Sequence, residues 1–465
     1  MTTTRPITQS NLKVDFSKHI GKVKALHSVN RGPVGSWGAE DHTEFYQKAR
    51  FPHVRLHDCP LHMMDTVDIH LIFPNWDADE NDPANYRFAA TDRYIQATLE
   101  TGAQIVYRLG ESIEHYAVKT YIFPPKDYEK WTRICLNIIR HYNHGWADGF
   151  EHNIRFWEIW NEPDLTEKMW SGTAQQYYEL YAVVSKAIKA EFPELQVGGP
   201  GLAMPSIHKP WPQNFLTYCR DNALPMDFFS WHRYSCRPEE LVEMARNIRE
   251  ALDEYGYTQT QSHLNEWHYL PFQDWSFMKF GTPNNTKQTG DHEVDLFKAK
   301  MAMEAAAGHE AAAFTASSLI HLQDEPVDAA MYYVGNAGRF GLFDLSGGAP
   351  RGAYFALQTL GKMVDMQHRT AAVADEETVS CLASVDPACQ QATAMISRFD
   401  AGCYGDLVID LENLPWSGAT QCELYAIDSQ RRYQQVERRT FDSAGCHFHW
   451  FIEPTAILIC HLHPA

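Results

Sequence analysis

The chain lacks several features that would assign it to common classes of protein. It contains no apolar run long enough to cross a membrane, and its first residues lack the apolar stretch of a signal peptide. Basic residues are scarce: the formal net charge of −19 argues against nucleic acid or an anionic membrane as a partner. Internal repeats and low-complexity tracts are also missing. These absences favour a cytoplasmic protein with neutral ligands, unless a leader was removed from it.

Paired cysteine motifs are absent too. The ten cysteines contain no Cys-x-x-Cys spacing, which in a chain of 465 residues predicts reduced, mostly buried thiols. The 23 histidines call for a search for metal-ligand spacing. His53 and His57 lie four apart on a predicted strand, but neither has a His-x-His partner. We therefore predict no metal and no cofactor.

What the chain does contain is a regular alternation of strand-like and helix-like segments. Eight apolar strands separated by amphipathic segments, with polar residues at the strand ends, predict a (β/α)8 barrel over residues 20–365. In this interpretation residues 311–320 form the eighth strand. Beyond about residue 370 short alternating segments predict an accessory β-sandwich built from residues 366–465 and completed by residues 1–19.

Two of the predicted strands end in a carboxylate. The aromatic run before Trp160-Asn161-Glu162-Pro163-Asp164 stops at a proline, so Glu162 emerges at the C-terminal end of strand four. Asn265-Glu266-Trp267 likewise ends strand seven. Two carboxylates facing each other across a barrel mouth are what a glycosidase needs, one to protonate the glycosidic oxygen and one to attack or stabilise the sugar carbon. The alternative is that each carboxylate belongs to a structural ion pair.

These motifs together resemble a known enzyme family. Trp-Asn-Glu-Pro followed by Asn-Glu-Trp is similar to the acid/base and nucleophile motifs of clan A glycoside hydrolases. Gly198-Gly199-Pro200 and the 227–234 segment resemble family 39, which contains β-xylosidases and α-L-iduronidases. The resemblance covers roughly residues 20–365. It implies a retaining mechanism with Glu162 as acid/base and Glu266 as nucleophile, and a homo-oligomer, because members are often dimers or tetramers.

Further site residues are predicted on neighbouring strands. Asn161 resembles the clan residue that hydrogen-bonds the hydroxyl beside the reacting carbon; the alternative is a turn amide. His232 and Tyr234 share one face of strand six. The resemblance implies that the Tyr234 hydroxyl steadies Glu266 and that His232 contacts substrate or Glu162. The alternative for these two is a satisfied histidine and a core tyrosine.

Arg55 and His57 share a face of strand two, and an arginine beside Glu266 would keep that carboxylate ionised. Trp267 is either a platform on which a sugar stacks or part of the core. Typical family 39 xylosidases carry an aromatic residue after strand eight, and the segment over 319–326 has none. The sequence therefore leaves the floor of the sugar pocket undefined.

The sequence thus predicts a retaining exo-glycosidase acting on short plant-type oligosaccharides. β-D-Xylosides are the first expected substrates and arabinosyl compounds the second. His27, Trp37 and His57 are expected to close the space that the hydroxymethyl arm of a hexose needs. A catalytically silent sugar-binding barrel and a metal-dependent hydrolase are the competing hypotheses.

Overall fold

A closed parallel barrel surrounded by helices forms the larger part of the molecule. The computed structural model describes residues 8–35, 40–61, 64–114, 118–275, 292–346, 348–388 and 390–465. The eight barrel strands, numbered here in chain order, are Ser28–Asn30, His53–Leu56, Gln104–Leu109, Phe156–Ile159, Gln196–Leu202, Phe228–Ser235, Gln261–Tyr269 and Ala329–Tyr332. Strand eight pairs with strand one and closes the barrel. The predicted (β/α)8 barrel is confirmed.

Helices follow most of the barrel strands. The described helices are Thr43–Ala49, Ile69–Ile72, Ala89–Leu99, Tyr128–His144, Ala174–Glu191, Pro210–Asp221, Pro238–Glu254, His292–Ala307, His309–His321 and Gly352–Met366, with 3₁₀ turns at Pro83–Asn85, Pro271–Gln273 and Leu322–Asp324. The helix Tyr128–His144 shows why they form. The Asp127 carboxylate caps Lys130 N, the buried residues recur at helical spacing, and Gly145 ends the helix in the left-handed conformation.

The predicted eighth strand is wrong. Residues 311–320 belong to the helix His309–His321, which is buried on all sides between the barrel and the accessory sheet. A continuous apolar run has neither the period of two of a strand nor the period of 3.6 of an amphipathic helix, so periodicity could not decide between them. Its alanines favour the helix. The true eighth strand, Ala329–Tyr332, follows it.

The accessory unit is a nine-stranded sheet of mostly antiparallel strands. Its strands are Thr8–Lys22, His368–Ala374, Val379–Val385, Ala392–Arg398, Gly405–Glu412, Thr420–Ile427, Arg432–Phe441, Cys446–Ile452 and Ala456–Pro464. The N-terminal strand pairs antiparallel with His368–Ala374 and parallel with Gly405–Glu412. Leu12, Val14 and Phe16 are fully buried in the core of this unit. The strand Thr8–Lys22 therefore lies in one sheet with the strands that follow residue 367, while the domain limits 20–365 and 1–19 plus 366–465 stay a prediction.

The interior of the barrel changes character along its axis. Near the N-terminal ends of the strands an apolar cluster fills it, made of Val106, Phe156, Phe228, Ala329 and Met331. Towards the C-terminal ends the inward-facing residues are polar or charged. An apolar plug below and a polar layer above place the chemistry at one mouth of the barrel. Within the described ranges, no helix has the length and apolar character to span a bilayer.

Candidate active site

Glu162 is delivered by a sharp turn at the end of strand four. The strand Phe156–Ile159 stops, and Trp160 and Glu162 both take positive φ values, 70° and 47°. Glu162 N donates to Gly201 O at 2.9 Å, which ties this turn to strand five. The side chain of Glu162 is only 13% exposed. The strand thus presents a nearly enclosed carboxyl group at the barrel mouth.

Glu266 lies across the mouth on strand seven and is held by two donors. Arg55 Nη1 donates to its Oε1 at 2.8 Å, and the Tyr234 hydroxyl donates to its Oε2 at 2.9 Å. His57 Nε2 lies 3.6 Å from the same Oε1. These are contacts of the kind predicted for Arg55 and Tyr234, and they fix the carboxylate in one orientation.

The two carboxyl groups are close enough for a double displacement. One carboxylate oxygen of Glu162, one of Glu266 and one ring nitrogen of His232 all lie within 4.8 Å of one another. His232 Nδ1 is 2.9 Å from Glu162 Oε1 and 3.5 Å from Glu266 Oε2. Retaining glycosidases keep their carboxyl groups about 5 to 5.5 Å apart, whereas inverting enzymes leave a wider gap for water. The spacing here suits direct attack on the sugar carbon.

The surroundings of Glu162 and Glu266 shift the pKa values of the two carboxyl groups differently. Burial, reinforced by the charges of Asp164 and Asp58, raises the pKa of Glu162 to about 8. Burial also raises the pKa of Glu266, but His232 and Arg55 oppose that effect. Burial lowers the pKa of His232. Near neutrality, therefore, Glu162 holds a proton.

Arg55 organises this layer of the barrel. Besides Glu266, its Nη2 donates to Asn161 Oδ1 at 2.6 Å and its Nε donates to Glu158 Oε2 at 2.6 Å. Burial opposes its charge, but the carboxylates of Glu158 and Glu266 outweigh burial and raise its pKa. Sequence reasoning missed Glu158 and the Arg55 contact with Asn30 Oδ1 at 3.1 Å. A charged residue in the middle of an otherwise apolar strand was the signal for Glu158.

Asn161 leaves one donor unused. Its Oδ1 accepts from Arg55, but its Nδ2 is buried and has no hydrogen-bond partner among the described residues. His57 is similar. Its Nε2 is 3.3 Å from Asp58 Oδ1, and its buried Nδ1 has no hydrogen-bond partner among the residues that the structure describes. Two unpaired polar atoms beside the carboxyl pair are available to sugar hydroxyls.

Gly201 makes room for this arrangement. Its φ of 64° suits glycine, and an added Cβ would lie 3.2 Å from Glu158 Oε1 and 3.4 Å from His232 Nε2. Its N–H donates to Ser230 Oγ at 2.8 Å. The close approach of backbone to the buried carboxylate therefore depends on this glycine.

An aromatic residue does follow strand eight. Because the true strand is Ala329–Tyr332, the next residue is Tyr333, and the expectation of an undefined pocket floor is corrected. The Tyr333 hydroxyl donates to Asp58 Oδ2 at 2.9 Å, and Arg31 Nη2 donates to that hydroxyl at 3.2 Å. The Tyr333 and Tyr234 rings are 6.3 Å apart, so Tyr333 lines the same mouth as Glu266.

Two further side chains lie away from the site. Trp267, expected to be either a sugar platform or part of the core, belongs to the core: it is fully buried against Tyr332 and Phe314, on the outer side of the barrel, because it alternates with the inward-facing Glu266. The expectation that His27 closes space around the sugar is wrong. His27 bonds Arg50 O, before strand two begins, and so lies at the opposite end of the barrel from the site. Trp37 lies outside the described residues.

The structure gathers a second polar cluster that the sequence did not predict. Ligand atoms of Asp68, His70 and Glu111 lie within 4.8 Å of one another. Arg108 Nη2 already donates to Asp68 Oδ1 at 2.6 Å, and His70 Nδ1 bonds Glu111 Oε2. A guanidinium beside these oxygens repels a cation, so the donor set does not fit a metal ion. The prediction that no metal is required remains a prediction.

Comparison with known proteins now identifies the chain. The model of glycosyl hydrolases family 39 matches residues 11–398. The chain belongs to glycoside hydrolase family 39. A β-xylosidase of Caldicellulosiruptor saccharolyticus is 26% identical over 410 residues, which cover 80% of this chain and 75% of that protein. A β-xylosidase of Geobacillus stearothermophilus is 27% identical over 210 residues, 39% of this chain and 41% of that protein.

Solved structures share the whole fold of this family 39 chain. A glucosidase from Croceicoccus marinus superposes with a TM-score of 0.78 at 24% identity, covering 98% of this chain and 99% of that one. A monomeric β-xylosidase from Caulobacter crescentus gives a TM-score of 0.71 at 16% identity, with the same coverage. The family 39 chain is therefore a retaining glycoside hydrolase whose substrate is a carbohydrate, and the predicted reaction type is confirmed.

Proposed function

We propose that this family 39 enzyme removes terminal β-D-xylosyl residues from short oligosaccharides, with Glu162 as acid/base and Glu266 as nucleophile. The observation that carries the assignment of roles is the contrast between the two carboxyl groups. Glu266 accepts from Arg55 and Tyr234, both of which favour its ionised form, whereas burial and nearby carboxylates raise the pKa of Glu162. The β-xylosidase relatives support the choice of sugar.

In the first step the Glu266 carboxylate attacks the anomeric carbon from the face opposite the leaving group. The glycosidic C–O bond breaks, and the proton on Glu162 passes to the departing oxygen. The product is a glycosyl-enzyme ester on Glu266 with inverted configuration. The Tyr234 and Arg55 donors, having oriented the carboxylate, keep both of its oxygens in place during attack.

In the second step Glu162, now deprotonated, takes a proton from water as that water attacks the anomeric carbon. The ester bond breaks, Glu266 leaves as a carboxylate, and the second inversion restores the original configuration. His232 lies 2.9 Å from Glu162 Oε1 and holds that oxygen at the mouth, and burial lowers the pKa of this histidine.

Asn161 provides stabilisation that grows in the transition state. Its unpartnered Nδ2 is free to donate to the hydroxyl next to the anomeric carbon, and Arg55 holds its Oδ1 so that the amide cannot rotate. As positive charge develops on the ring, a hydrogen bond to that hydroxyl strengthens. Such a contact lowers the barrier instead of merely tightening substrate binding.

The enclosure of the pair supports action on chain ends. The side chains of Glu162 and Glu266 are only 13% and 6% exposed, so both carboxyl groups lie below the surface of the barrel mouth. A sugar in the middle of a polymer needs a groove that is open on both sides, whereas a terminal residue needs only a pocket. The proposed enzyme is therefore an exo-glycosidase.

A panel of aryl glycosides that differ only in the sugar tests this proposal. We expect kcat/KM for the aryl β-D-xyloside to exceed those for the α-L-arabinofuranoside and the β-D-glucoside by about tenfold or more, since a hexose carries an extra hydroxymethyl group. A higher value for the arabinofuranoside would instead support the arabinosyl alternative. Cleavage of the glucoside tenfold faster than both pentosides would overturn the pentosidase assignment.

Two further arms test the competing classes. If the barrel only binds sugars, no aryl glycoside will be cleaved although xylose or xylobiose still binds. If a metal carries the chemistry, dialysis against a chelator will abolish turnover and added zinc or manganese will restore it. We expect the activity to survive the chelator, because both steps use carboxyl groups alone.

A further inference from the structure

We propose that Glu158 is a positioning residue that orients Arg55. Because Arg55 pairs with both Glu158 and Glu266, the negative charge of Glu158 also sets the pH range in which Glu266 can attack. Glu158 lies on strand four, four residues before Glu162 in the sequence and deeper in the barrel. It is completely buried. It does not reach the mouth and has no route to the sugar. The proposal rests on the assignment of Glu266 as the nucleophile.

Three donors surround the Glu158 carboxyl group. Arg55 Nε donates to Oε2 at 2.6 Å, while Ser230 Oγ and Asn265 Nδ2 donate to Oε1 at 2.6 and 2.5 Å. These donors come from strands two, six and seven. A carboxyl group that gathers partners from three other strands is a hub of the polar layer and not a local strand-end contact.

The contacts require an ionised Glu158. The Arg55 guanidinium and the Asn265 NH₂ group are donors only. If Glu158 were protonated, its acid proton, on either oxygen, would point at one of these donors and find no acceptor there. The Ser230 hydroxyl already accepts from Gly201 N at 2.8 Å and directs its own proton to Glu158. The fully buried Glu158 therefore carries a full negative charge.

Glu158 fixes the plane of Arg55. A guanidinium is rigid and planar, so holding Nε at one edge determines where Nη1 and Nη2 point. Those two nitrogens donate to Glu266 Oε1 at 2.8 Å and to Asn161 Oδ1 at 2.6 Å. Moving the edge held by Glu158 would therefore shift both the nucleophile and the amide that faces the sugar.

The charges also couple Glu158 to Glu266. One cation, Arg55, is shared by two buried carboxylates, each in direct contact with it. A neighbouring negative charge disfavours ionisation of a carboxyl group, so Glu158 weakens the net effect of Arg55 on Glu266. Without Glu158 the whole charge of Arg55 would act on Glu266, whose pKa would fall. A more stabilised carboxylate is also a weaker nucleophile.

Two substitutions separate charge from position. Glu158→Gln keeps the length of the side chain but removes the charge: we expect the acid limb of the kcat/KM profile to move down by about 0.5 to 1 pH unit and kcat to fall at least about tenfold. Glu158→Asp keeps the charge but draws it away from Arg55: kcat should fall at least about tenfold while the acid limb moves by less than about 0.3 unit.

Ser230→Ala is the control for charge, because it removes one donor to the same carboxylate, together with the acceptor of Gly201 N, and leaves every charge in place. It should lower kcat less than Glu158→Asp does and leave the acid limb where it is. An acid limb of Glu158→Gln that coincides with that of the native enzyme would show that Glu158 has only a structural role. If Glu158→Gln does not fold, an unchanged kcat in Glu158→Asp would overturn the positioning role by itself.

A separate measurement keeps this test distinct from the proposed function. A 2-deoxy-2-fluoro aryl glycoside of the best substrate sugar should trap the glycosyl-enzyme, and mass spectrometry locates the label. A label on Glu266 in the native enzyme and in Glu158→Asp leaves the Glu158 experiment valid. A label on another residue would refute the assignment of the nucleophile, whatever the pH profiles show.

Discussion

The barrel mouth and the accessory sheet both bury charged side chains, but they treat them differently. In the sheet, Arg398 is fully buried and each of its nitrogens is paired: Nε with Glu376 at 3.2 Å, Nη1 with Cys403 O at 2.8 Å and Nη2 with Thr8 Oγ1 at 2.8 Å. At the mouth, several buried polar atoms have no partner within the described part of the chain: His57 Nδ1, Arg108 Nε and Nη1, Asn161 Nδ2 and His232 Nε2.

In the part of the sequence that the structure describes, single unpaired atoms also occur in the sheet, Glu376 Oε2 among them, but at the mouth they cluster around the carboxyl pair, as expected of a site built for a ligand. A buried polar group without a partner raises the free energy of the folded state by about 1 to 3 kcal/mol, so folding alone does not favour a cluster of them. A sugar carries hydroxyl groups that can supply the missing partners. The unpaired atoms of the mouth are thus explained by binding, and the saturated contacts of Arg398 by stability.

The largest effect on turnover is expected from removing the nucleophile. Because Glu266 is the group proposed to bond the sugar, Glu266→Ala should lower kcat by about 10⁵-fold on every substrate, whatever its leaving group. The fold should persist, since Arg55 keeps its buried ion pair with Glu158 when Glu266 is removed. Glu412→Ala, which deletes an exposed carboxylate of the sheet, is the control and should leave turnover unchanged. Comparable losses in the two variants would contradict the assignment.

The next largest effect separates Glu162 from Glu266. Glu162→Ala should slow hydrolysis of poor leaving groups by about 10³-fold, but an activated aryl glycoside should still form the glycosyl-enzyme and then stall. Azide needs no general base, so it should enter the vacated space and restart turnover. The measurement is the configuration of the glycosyl azide, which should match the substrate. An inverted azide product would reverse the roles of the two residues.

Much of this site was predictable because short-range rules determine it. Pro163 indicates that the strand-like run ends near Glu162, although strand four already ends at Ile159, and a period of two places Arg55 with His57 and His232 with Tyr234. The same period predicts that Trp267 faces away from the site if Glu266 faces into it, which favours the core over the sugar platform as the place of Trp267.

The remaining features depend on contacts that no local pattern contains. Glu158 and Arg55 meet only when the barrel closes, and neither strand alone indicates the pairing. The segment over 311–320 is buried on all sides, so its apolar pattern carries no period that distinguishes helix from strand. Misplacing that element displaced the eighth strand and concealed Tyr333, which shows how one local ambiguity changes the predicted site.

A third prediction uses the pKa of Glu162 to test the mouth in the native enzyme. General acid catalysis needs Glu162 protonated, so kcat/KM should fall as the pH rises through about 8, by tenfold for each further unit. It should also fall at low pH as Glu266 gains a proton, at a pH above the 4.5 of an ordinary glutamate. In Glu162→Ala, assayed with an activated substrate, the basic limb should vanish. A basic limb that persists would assign it to another group.

Removing the buried arginine of the accessory sheet is expected to lower the stability of the fold without changing kcat. Arg398→Met removes a buried cation and leaves Glu376, whose side chain is 20% exposed, without its charged partner. The free energy of unfolding should fall by about 2 kcal/mol or more, while kcat at 25 °C stays the same for folded protein. Arg438→Met, at an exposed arginine of the same sheet, is the control. A large loss of kcat in Arg398→Met would show that the sheet shapes the active site.

The smallest effect is expected on the surface of the sheet, where His449 Nδ1 and Asp406 Oδ2 lie 3.0 Å apart with side chains 55% and 34% exposed. Water already solvates both groups, and holding two side chains in one geometry opposes the gain, so the pair stabilises the fold by less than about 0.5 kcal/mol. Asp406→Asn should therefore shift the unfolding midpoint only slightly, and the shift should shrink further in about 1 M salt, which screens exposed charges within about 3 Å. The measurement is denaturant unfolding at low and high salt beside Arg398→Met. A loss for Asp406→Asn equal to that for Arg398→Met would mean that burial and saturation of contacts do not determine which charges matter in this sheet, and the contrast with the barrel mouth would no longer hold.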